Sequence, residues 1–296
     1  MRRSHKQFRV RKRAAAFYLL LVFWAGWLQG STVMKHMGQA AAQRTEAVSI
    51  NSQAALLVDA AGETRYALQE EEPLYPASLT KLLTAWVVVK HCPDLEQKVT
   101  VQTKTLAHLV GTGASTAGLS AGECLTLREL LTALLRPSGA DAALVLAEKV
   151  GGSETGFVRL MNEEAQALGM TRSHFVNASG LDDSQQYSTA SDLMRLWRAV
   201  LGQEALKSIV TLDEQTGRWQ STLLTYDTPV DWSGGRILGG KTGYTKQAGQ
   251  CLASYAQVGD RIYYLVTLGA PGEAGGSGQH LLDAQTLYSW AAAQRR

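Results

Sequence analysis

Cysteine is scarce in this sequence, and its spacing excludes a disulfide scaffold or a cysteine-based metal site. Cys92, Cys124 and Cys251 are the three cysteines among 296 residues, and none of them forms a Cys-x-x-Cys pair. A chain of this length can bury a core without cross-links. The composition therefore suits an exported protein that does not depend on disulfides. At most one pair can form, and whether Cys92 and Cys124 pair stays open.

Two common catalytic signatures are also missing. The glycine-rich segment GTGAST, residues 111–116, lacks the third glycine of a dinucleotide-binding fingerprint and follows no clear strand. No histidine belongs to the His-Glu-x-x-His motif of zinc peptidases; the six are His5, His36, His91, His108, His174 and His280. The sequence therefore carries neither a dinucleotide-binding nor a zinc-peptidase signature.

Acidic residues are absent from the N-terminal residues 1–13, which hold seven basic ones. Setting those seven aside from the 29 basic residues leaves 22, against 26 acidic ones, so the rest of the chain is mildly acidic. A nucleic-acid-binding protein needs a basic surface on its folded part. We therefore expect no nucleic-acid partner, and we read residues 1–13 as a cytoplasmic region ahead of a targeting segment.

An apolar run, AAAFYLLLVFWAGWLQG, occupies residues 14–30 directly after the basic cluster. Positive charge stays on the cytoplasmic side, so the remaining chain should be exported, either to the outer face of the cytoplasmic membrane or into the cell-wall space. The run is short for a membrane span, which favours a signal peptide. Lys35 and His36 separate the apolar run from the small residues that a signal peptidase would need for cleavage. A retained membrane anchor therefore stays open. Residues 31–46 read as a linker, and we expect any membrane attachment to come from residues 14–30.

Residues 47–296 read as one α/β (α+β) domain in which strands lie at both ends and helices lie between them. The segment AALLVDAAGETRYAL, residues 54–68, predicts two strands around a tight turn at Ala61-Gly62. The C-terminal part predicts three more strands and a closing helix. Apolar residues at helical spacing predict the central helices; they lie in residues 78–91, 125–135, 140–150, 154–170 and 189–202. We expect an antiparallel sheet built from both ends of the domain and an all-helical insert.

The segment YPASLTKLLTAWVVV places Ser78 and Lys81 one turn apart at the start of an apolar helix. Residues three apart share a helix face, and free N–H groups at a helix start favour developing negative charge. A buried lysine is unfavourable unless it is paired or neutral. A neutral amine could act as a base toward the serine hydroxyl.

Two further segments complete a candidate constellation. Lys241-Thr242-Gly243 lies on a predicted strand after a glycine pair, where a lysine and a hydroxyl could hold a carboxylate while glycine lets a substrate backbone approach. In LLRPSGADAA, Ser138 starts a turn next to a helix. Each segment alone is explained by a helix cap or an edge-strand lysine, but the three in this order with a helical insert between them indicate catalysis.

The sequence resembles the D-alanyl-D-alanine carboxypeptidases, which are low-molecular-mass penicillin-binding proteins. Ser-x-x-Lys, Ser-x-Asn and Lys-Thr-Gly are the signature of penicillin-binding proteins and related β-lactamases. The resemblance extends over nearly the whole exported part, through PLYPASLTKLLTA, AGLSAGECLTLRELLTALLRPSGADAALVLAE, HFVNASGLDDSQQYSTASDLMRL and LGGKTGYTKQAGQCLASYA. It implies the β-lactamase/transpeptidase-like fold, a peptidoglycan stem peptide ending in D-Ala-D-Ala as substrate, and β-lactam antibiotics as acylating inhibitors. It also implies that neither a metal nor a cofactor is needed.

The resemblance also assigns roles to residues. Ser78 would be the nucleophile, Lys81 its general base, and Ser138 a relay of the proton to the leaving amine. The terminal carboxylate would be bound by Lys241 and Thr242, next to Gly243, and the charge of Lys241 would disfavour protonated Lys81. The backbone N–H groups of Ser78 and Tyr244 would form the oxyanion hole.

The middle motif departs from the family pattern, because Ala140 stands where asparagine is usual. In the family this amide helps to hold the catalytic lysine, and its loss is expected to change the free energy of the site by about 1–3 kcal/mol. We expect a slower or altered carboxypeptidase. Two alternatives stay open: a non-catalytic peptidoglycan-binding homologue, and a β-lactamase. A β-lactamase would need a Glu-x-x-Leu-Asn element that the segment NEEAQALGM does not supply.

Overall fold

The computed structural model describes residues 48–212 and 217–294. The chain divides into two compact units, residues 1–49 and 50–296, and the strands and helices given below belong to the second. The basic region 1–13, the apolar segment 14–30 and the linker 31–46 lie outside the described residues. Among the described helices, none is long and apolar enough to cross a membrane.

A six-stranded antiparallel sheet joins the two ends of this unit. Its order is β2-β1-β8-β7-β6-β5, so the N-terminal hairpin lies against the last strand, with Ala54 opposite Leu268. The strands are β1 (Ala54–Asp59), β2 (Thr64–Leu68), β5 (Asp231–Trp232), β6 (Gly235–Thr245), β7 (Gly249–Val258) and β8 (Arg261–Ala270). The predicted sheet from both ends of the domain is confirmed.

The residues between β2 and β5 form the helical part. A 3₁₀ turn, Ala77–Leu79, precedes the first helix, and a second one, Thr222–Thr225, precedes β5. A two-stranded sheet of β3 (Lys98–Thr100) and β4 (Cys124–Thr126) is added at its edge. The helices are α1 (Thr80–His91), α2 (Thr103–Ala107), α3 (Leu127–Leu135), α4 (Ala140–Gly151), α5 (Glu154–Ala167), α6 (Ala190–Gly202) and α7 (Glu204–Val210), and α8 (Gln279–Ala293) follows the sheet.

Local sequence explains where these helices begin and end. Helix α3 begins with a capping box, in which the Thr126 hydroxyl accepts from the backbone of Glu129 and the Glu129 carboxylate accepts in return. Helix α4 ends at Gly152, whose φ of +71° is the left-handed conformation that favours glycine. Helix α1 is buried along most of its length, as its unbroken apolar run predicts. Its buried side chains belong to the hydrophobic core, so the residues at its start are held firmly.

The structure differs from the sequence prediction in a few places. The predicted helix 125–135 begins at Leu127, because residues 124–126 pair with β3 as a strand. The predicted helix 154–170 ends at Ala167. The short helices α2 and α7 have no counterpart in the prediction. Cys92, Cys124 and Cys251 are all free thiols, so Cys92 and Cys124 do not pair in this structure.

Candidate active site

Ser78 lies in the 3₁₀ turn that leads into α1, and Lys81 lies in the first turn of that helix. The residue before the serine, Ala77, has a φ of +47°, a strained conformation for a residue with a Cβ atom. The Lys81 Nζ donates a hydrogen bond of 2.9 Å to the Ser78 Oγ. The predicted pairing of hydroxyl and amine is therefore present.

The Lys81 side chain is 2% exposed, and a backbone carbonyl satisfies its amine on the other side. Its Nζ also donates to the carbonyl oxygen of Ser179, at 2.5 Å. Burial lowers the pKa of Lys81 to about 7, although the charge of Asp141 acts in the opposite direction. An amine with this pKa is neutral in a large fraction of molecules near neutral pH, so it can accept a proton.

Ser138 and Lys241 form a second pair. The Lys241 Nζ donates to the Ser138 Oγ at 3.0 Å and to the carbonyl of Thr242 at 2.6 Å. Burial lowers the pKa of Lys241 well below its ordinary value, and repulsion by Lys81 adds to the effect. Ser138 has a φ of +65°, so both serines of the constellation lie at or next to strained backbone.

Strand β6 carries the third motif along one wall of the site. The hydroxyl of Thr242 lies 2.6 Å from that of Thr222. A Cβ atom on Gly243 would lie 3.0 Å from the backbone nitrogen of Ser78, so only glycine lets the strand come this close to the serine turn. Tyr244 pairs with Gln250 of β7. Within the part of the chain that the structure describes, no strand pairs with residues 240–245 on the other side of β6.

These residues border a cleft of about 740 Å³. Ser78, Lys81 and Ser138 line it together with Thr242, Gly243 and Tyr244. The buried Lys241 lies behind the lining and is linked to it through Ser138. The cleft thus brings together the sequence-predicted residues, but the Lys241 amine is directed at Ser138 and a backbone carbonyl, and it is not open to the cleft as direct carboxylate binding would require.

Ala140 also lines this cleft and is 1% exposed. Its backbone N–H donates to the carbonyl of Ser115 at 2.8 Å. Its methyl group cannot hydrogen-bond to Lys81, whose amine donates to the Ser78 hydroxyl and to the Ser179 carbonyl. Of the described residues, no group of three or more His, Cys, Asp or Glu side chains is placed to hold a metal ion.

Comparison with known proteins assigns the chain to a family. Residues 39–272 match the peptidase family S11, whose description is D-alanyl-D-alanine carboxypeptidase. The chain belongs to the D-alanyl-D-alanine carboxypeptidase family. The predicted resemblance is confirmed, and the positions of Ser78, Lys81, Ser138 and Lys241 in one constellation agree with it.

Relatives of this carboxypeptidase family member include the D-alanyl-D-alanine carboxypeptidase DacF of Bacillus subtilis, 30% identical over 77% of this chain. DacC of Escherichia coli is 33% identical over 78% of this chain. The match covers 60% of each of these two relatives, so the chain spans less than two thirds of their length.

Solved structures confirm the fold. The Streptomyces K15 DD-transpeptidase superposes with a TM-score of 0.72 at 27% identity, over 83% of this chain and 98% of that one. A D-alanyl-D-alanine carboxypeptidase from Mycobacterium tuberculosis H37Rv gives 0.68 at 27% identity, over 83% and 92%. The predicted β-lactamase/transpeptidase-like architecture, a sheet flanked by helices with an all-helical part, is therefore confirmed.

Three residues that line the cleft carry little or no sequence signal. Ser179 contributes a backbone carbonyl, which leaves no side-chain signature. Thr222 and Tyr226 lie in and just after a 3₁₀ turn without periodicity, and Tyr226 is hydrogen-bonded to Thr242 and to the backbone of Gly275. Ala274 and Gly275, in the glycine-rich segment GEAGGSG of residues 272–278, also line the cleft.

Proposed function

We propose that this protein is a serine-type D-Ala-D-Ala carboxypeptidase that removes the terminal D-alanine from peptidoglycan stem peptides. The observation that carries the proposal is the hydrogen bond between the buried, readily neutral amine of Lys81 and the hydroxyl of Ser78. Family membership agrees with it. The chain spans only part of the length of its relatives. The activity, the substrate and the partners are therefore proposals for this chain.

In the proposed reaction Ser78 attacks the carbonyl carbon of the penultimate D-alanine while neutral Lys81 takes the hydroxyl proton. The peptide bond breaks, and the proton passes through Ser138 to the leaving amine, which departs as free D-alanine. The second pair supports this relay, because the Ser138 hydroxyl accepts from Lys241. Water then hydrolyses the ester on Ser78 and restores the serine. We propose that no cofactor takes part.

Substrate binding is proposed along β6, whose unpaired edge beside the cleft can accept an extended peptide. The hydroxyl of Thr242, adjacent to that of Thr222, would bind the terminal carboxylate. Lys241 would act from behind the lining, where its amine holds the Ser138 hydroxyl and the Thr242 carbonyl. The backbone N–H groups of Ser78 and Tyr244 would stabilise the oxyanion, a contribution of about 3 kcal/mol for each donor in comparable sites.

Two other functions have weaker support. A non-catalytic peptidoglycan-binding role has Ala140 as its support, but such a role gives no reason for a lysine with a pKa of about 7 beside a serine. A β-lactamase would need a carboxylate that activates water at the ester. The two glutamates of the segment NEEAQALGM, Glu163 and Glu164, lie on α5 and do not line the cleft. Glu163 pairs with Arg159, and Glu164 accepts from the indole of Trp86.

Location and domain organisation remain proposals as well. We propose that residues 47–296 form the catalytic domain and that it works outside the cytoplasm, where peptidoglycan is found. Residues 14–30 would direct export and, if uncleaved, would hold the protein at the membrane. β-Lactam antibiotics would acylate Ser78, since they resemble the substrate.

The test combines labelling with turnover. Purified protein is treated with a fluorescent penicillin, with Ser78→Ala as the matched control, and is then given a peptide that ends in D-Ala-D-Ala. We expect Ser78-dependent labelling that decays slowly and release of free D-alanine. Absence of both labelling and D-alanine would support the binding role, and rapid repeated opening of the penicillin ring would support the β-lactamase.

A further inference from the structure

The Lys81 amine is held between two acceptors, the nucleophile and a loop carbonyl. Its Nζ donates to the Ser78 Oγ at 2.9 Å and to the Ser179 oxygen at 2.5 Å. Ser78 changes its bonding during the reaction, so the Ser179 carbonyl is the constant partner. The direction of that carbonyl therefore determines where the base lies when it must take the proton.

The turn at Ser179 and Gly180 is closed by the side chain of Asn177. Its Oδ1 accepts from the backbone N–H of Gly180 at 2.7 Å and from that of Ser179 at 3.2 Å. Its Nδ2 donates to the carbonyl of Leu181 at 3.0 Å. These bonds close a tight turn around the peptide that joins Ser179 to Gly180, and the carbonyl of this peptide points at Lys81.

The same turn leaves no room for a side chain at Gly180. Gly180 has a φ of +84°, and a Cβ atom there would overlap the carbonyl oxygen of Ala77. The buried Gln186 supports Asn177 from outside, because its Oε1 accepts from the backbone N–H of Asn177 at 3.1 Å. Neither Asn177 nor Gln186 is among the residues that line the cleft.

A second anchor connects the loop to α1 one residue earlier. The Thr84 hydroxyl donates to the carbonyl of Ala178 at 2.7 Å. Thr84 lies almost one turn after Lys81 on the same helix, so two consecutive carbonyls of the loop accept from two side chains of α1. This arrangement provides an internal control, since the Thr84 bond docks the loop without orienting the Ser179 peptide.

We propose that Asn177 is a positioning residue for the general base: it orients the Ser179 carbonyl, which in turn holds Lys81 in place for proton transfer from Ser78. The inference rests on the proposed function and adds a residue outside the three motifs. A displacement of the base of about 1 Å can slow a reaction about 100-fold. Asn177 should therefore affect the acylation step without affecting the binding of the reagent.

The experiment measures acylation by a fluorescent penicillin in single turnover, which separates the dissociation constant of the initial complex from the rate constant of acylation. For Asn177→Ala we expect a rate constant lowered about 10- to 100-fold with an unchanged dissociation constant. Asn177→Asp keeps the Oδ1 acceptor, so we expect most of the rate to return. Thr84→Val is the control and should keep the rate within about threefold while lowering the thermal midpoint, because it leaves the Ala178 carbonyl unsatisfied.

Three results would overturn the inference: an unchanged rate constant in Asn177→Ala, a weakened initial complex that accounts for the whole loss, or an equal loss of rate in Thr84→Val. If Asn177→Ala does not fold, Gln186→Ala is tested in its place. This variant removes the side chain that binds the backbone N–H of Asn177, and the same rate constant of acylation is measured. Lack of Ser78-dependent labelling in the unmodified protein would instead refute the proposed function itself.

Discussion

The buried amine of Lys81 connects folding with chemistry at a single residue. In water a lysine holds its proton up to a pH near its ordinary pKa of 10.5, whereas burial here lowers the pKa to about 7. The folded state therefore releases the proton at a much lower pH than the unfolded state does. The folded protein is accordingly less stable relative to the unfolded chain as the pH falls from about 10.5 to about 7. The same shift makes the residue usable as a base.

The rate of acylation should follow the protonation of this amine. Below its pKa Lys81 is charged and cannot accept the Ser78 proton, so the rate constant for labelling by penicillin should rise with pH, pass its midpoint near pH 7 and then level off. Single-turnover labelling at a series of pH values measures it. A rate constant that stays flat from about pH 5 to 9 would show that Lys81 is not the base.

Ala140 leads to a prediction at the same scale. Its methyl group lines the cleft beside Ser78 and Lys81, so Ala140→Asn would bring a hydrogen-bonding amide to the base. We expect acylation to become faster, by about 5- to 150-fold if the amide contributes about 1–3 kcal/mol. Ala114→Asn, at another alanine of the cleft lining, is the control and should not accelerate it. Unchanged kinetics in Ala140→Asn would contradict this account of the departure from the family pattern.

At the scale of elements, the site depends on how closely β6 approaches the 3₁₀ turn of Ser78. Gly243 makes that approach possible, because a Cβ atom there would lie 3.0 Å from the Ser78 nitrogen and 3.1 Å from the Ala77 Cβ. Contacts of this length are tighter than ordinary van der Waals contact, so the strand and the turn would have to separate by a few tenths of an ångström. The oxyanion donors proposed for Ser78 and Tyr244 lie on these two elements.

Gly243→Ala should therefore impair catalysis more than folding. We expect acylation to slow about tenfold or more, because the two donors move apart, and we expect the thermal midpoint to change little. Gly202→Ala is the matched control, since no atom lies within 4 Å of the position that a Cβ atom would take there and its φ is ordinary. Labelling rates and melting curves of the two variants measure the difference. Wild-type labelling in Gly243→Ala would show that the close approach is not required.

The sequence predicts the main elements and motifs well because their signals are strong. The apolar run of β1, which ends at a tight turn, and the leucine spacing in α3 each extend over enough residues to determine the element type. Strands β3 and β4 have three residues each, too few for a pattern. The direction of the Lys241 side chain depends on the packing of Ser138 against β6, and the Ser179 carbonyl is a backbone group that any residue would supply. Neither can be derived from residue types alone.

At the scale of the whole folded unit, Asp283 ties α8 to the start of β1. Its carboxylate accepts from the backbone N–H of Ser52 at 2.7 Å, from the Ser52 hydroxyl at 2.6 Å and from the backbone N–H of Asn51 at 3.0 Å. These groups are buried or partly buried and lie more than 200 residues from Asp283 along the chain. The carboxylate therefore joins the two ends of the unit directly.

Asp283→Ala should reduce the free energy of unfolding by about 2–4 kcal/mol, because it leaves buried donors of Asn51 and Ser52 without their acceptor. Urea unfolding measures the change. Asp260→Ala is the control, because Asp260 lies in the β7–β8 turn with its side chain 93% exposed. The urea midpoint of Asp260→Ala should match that of the unmodified protein. Folded Asp283→Ala should still be labelled by penicillin at a normal rate, and a slower rate would mean that the cleft depends on this anchor.

The pairing of β1 with β8 has a consequence for biosynthesis. Strand β1 has β2 and β8 as its neighbours, and Leu57 lies opposite Leu265. A ribosome must therefore release about 200 further residues before the first hairpin can join the rest of the sheet, and contacts between such distant segments form slowly. Until residues 261–270 emerge, the growing polypeptide holds Ser78 and Lys81 beside a sheet that lacks its strand β8. The six-stranded sheet that supports the cleft therefore cannot form before strand β8 has been synthesised, and a shorter nascent chain holds these residues without the completed site.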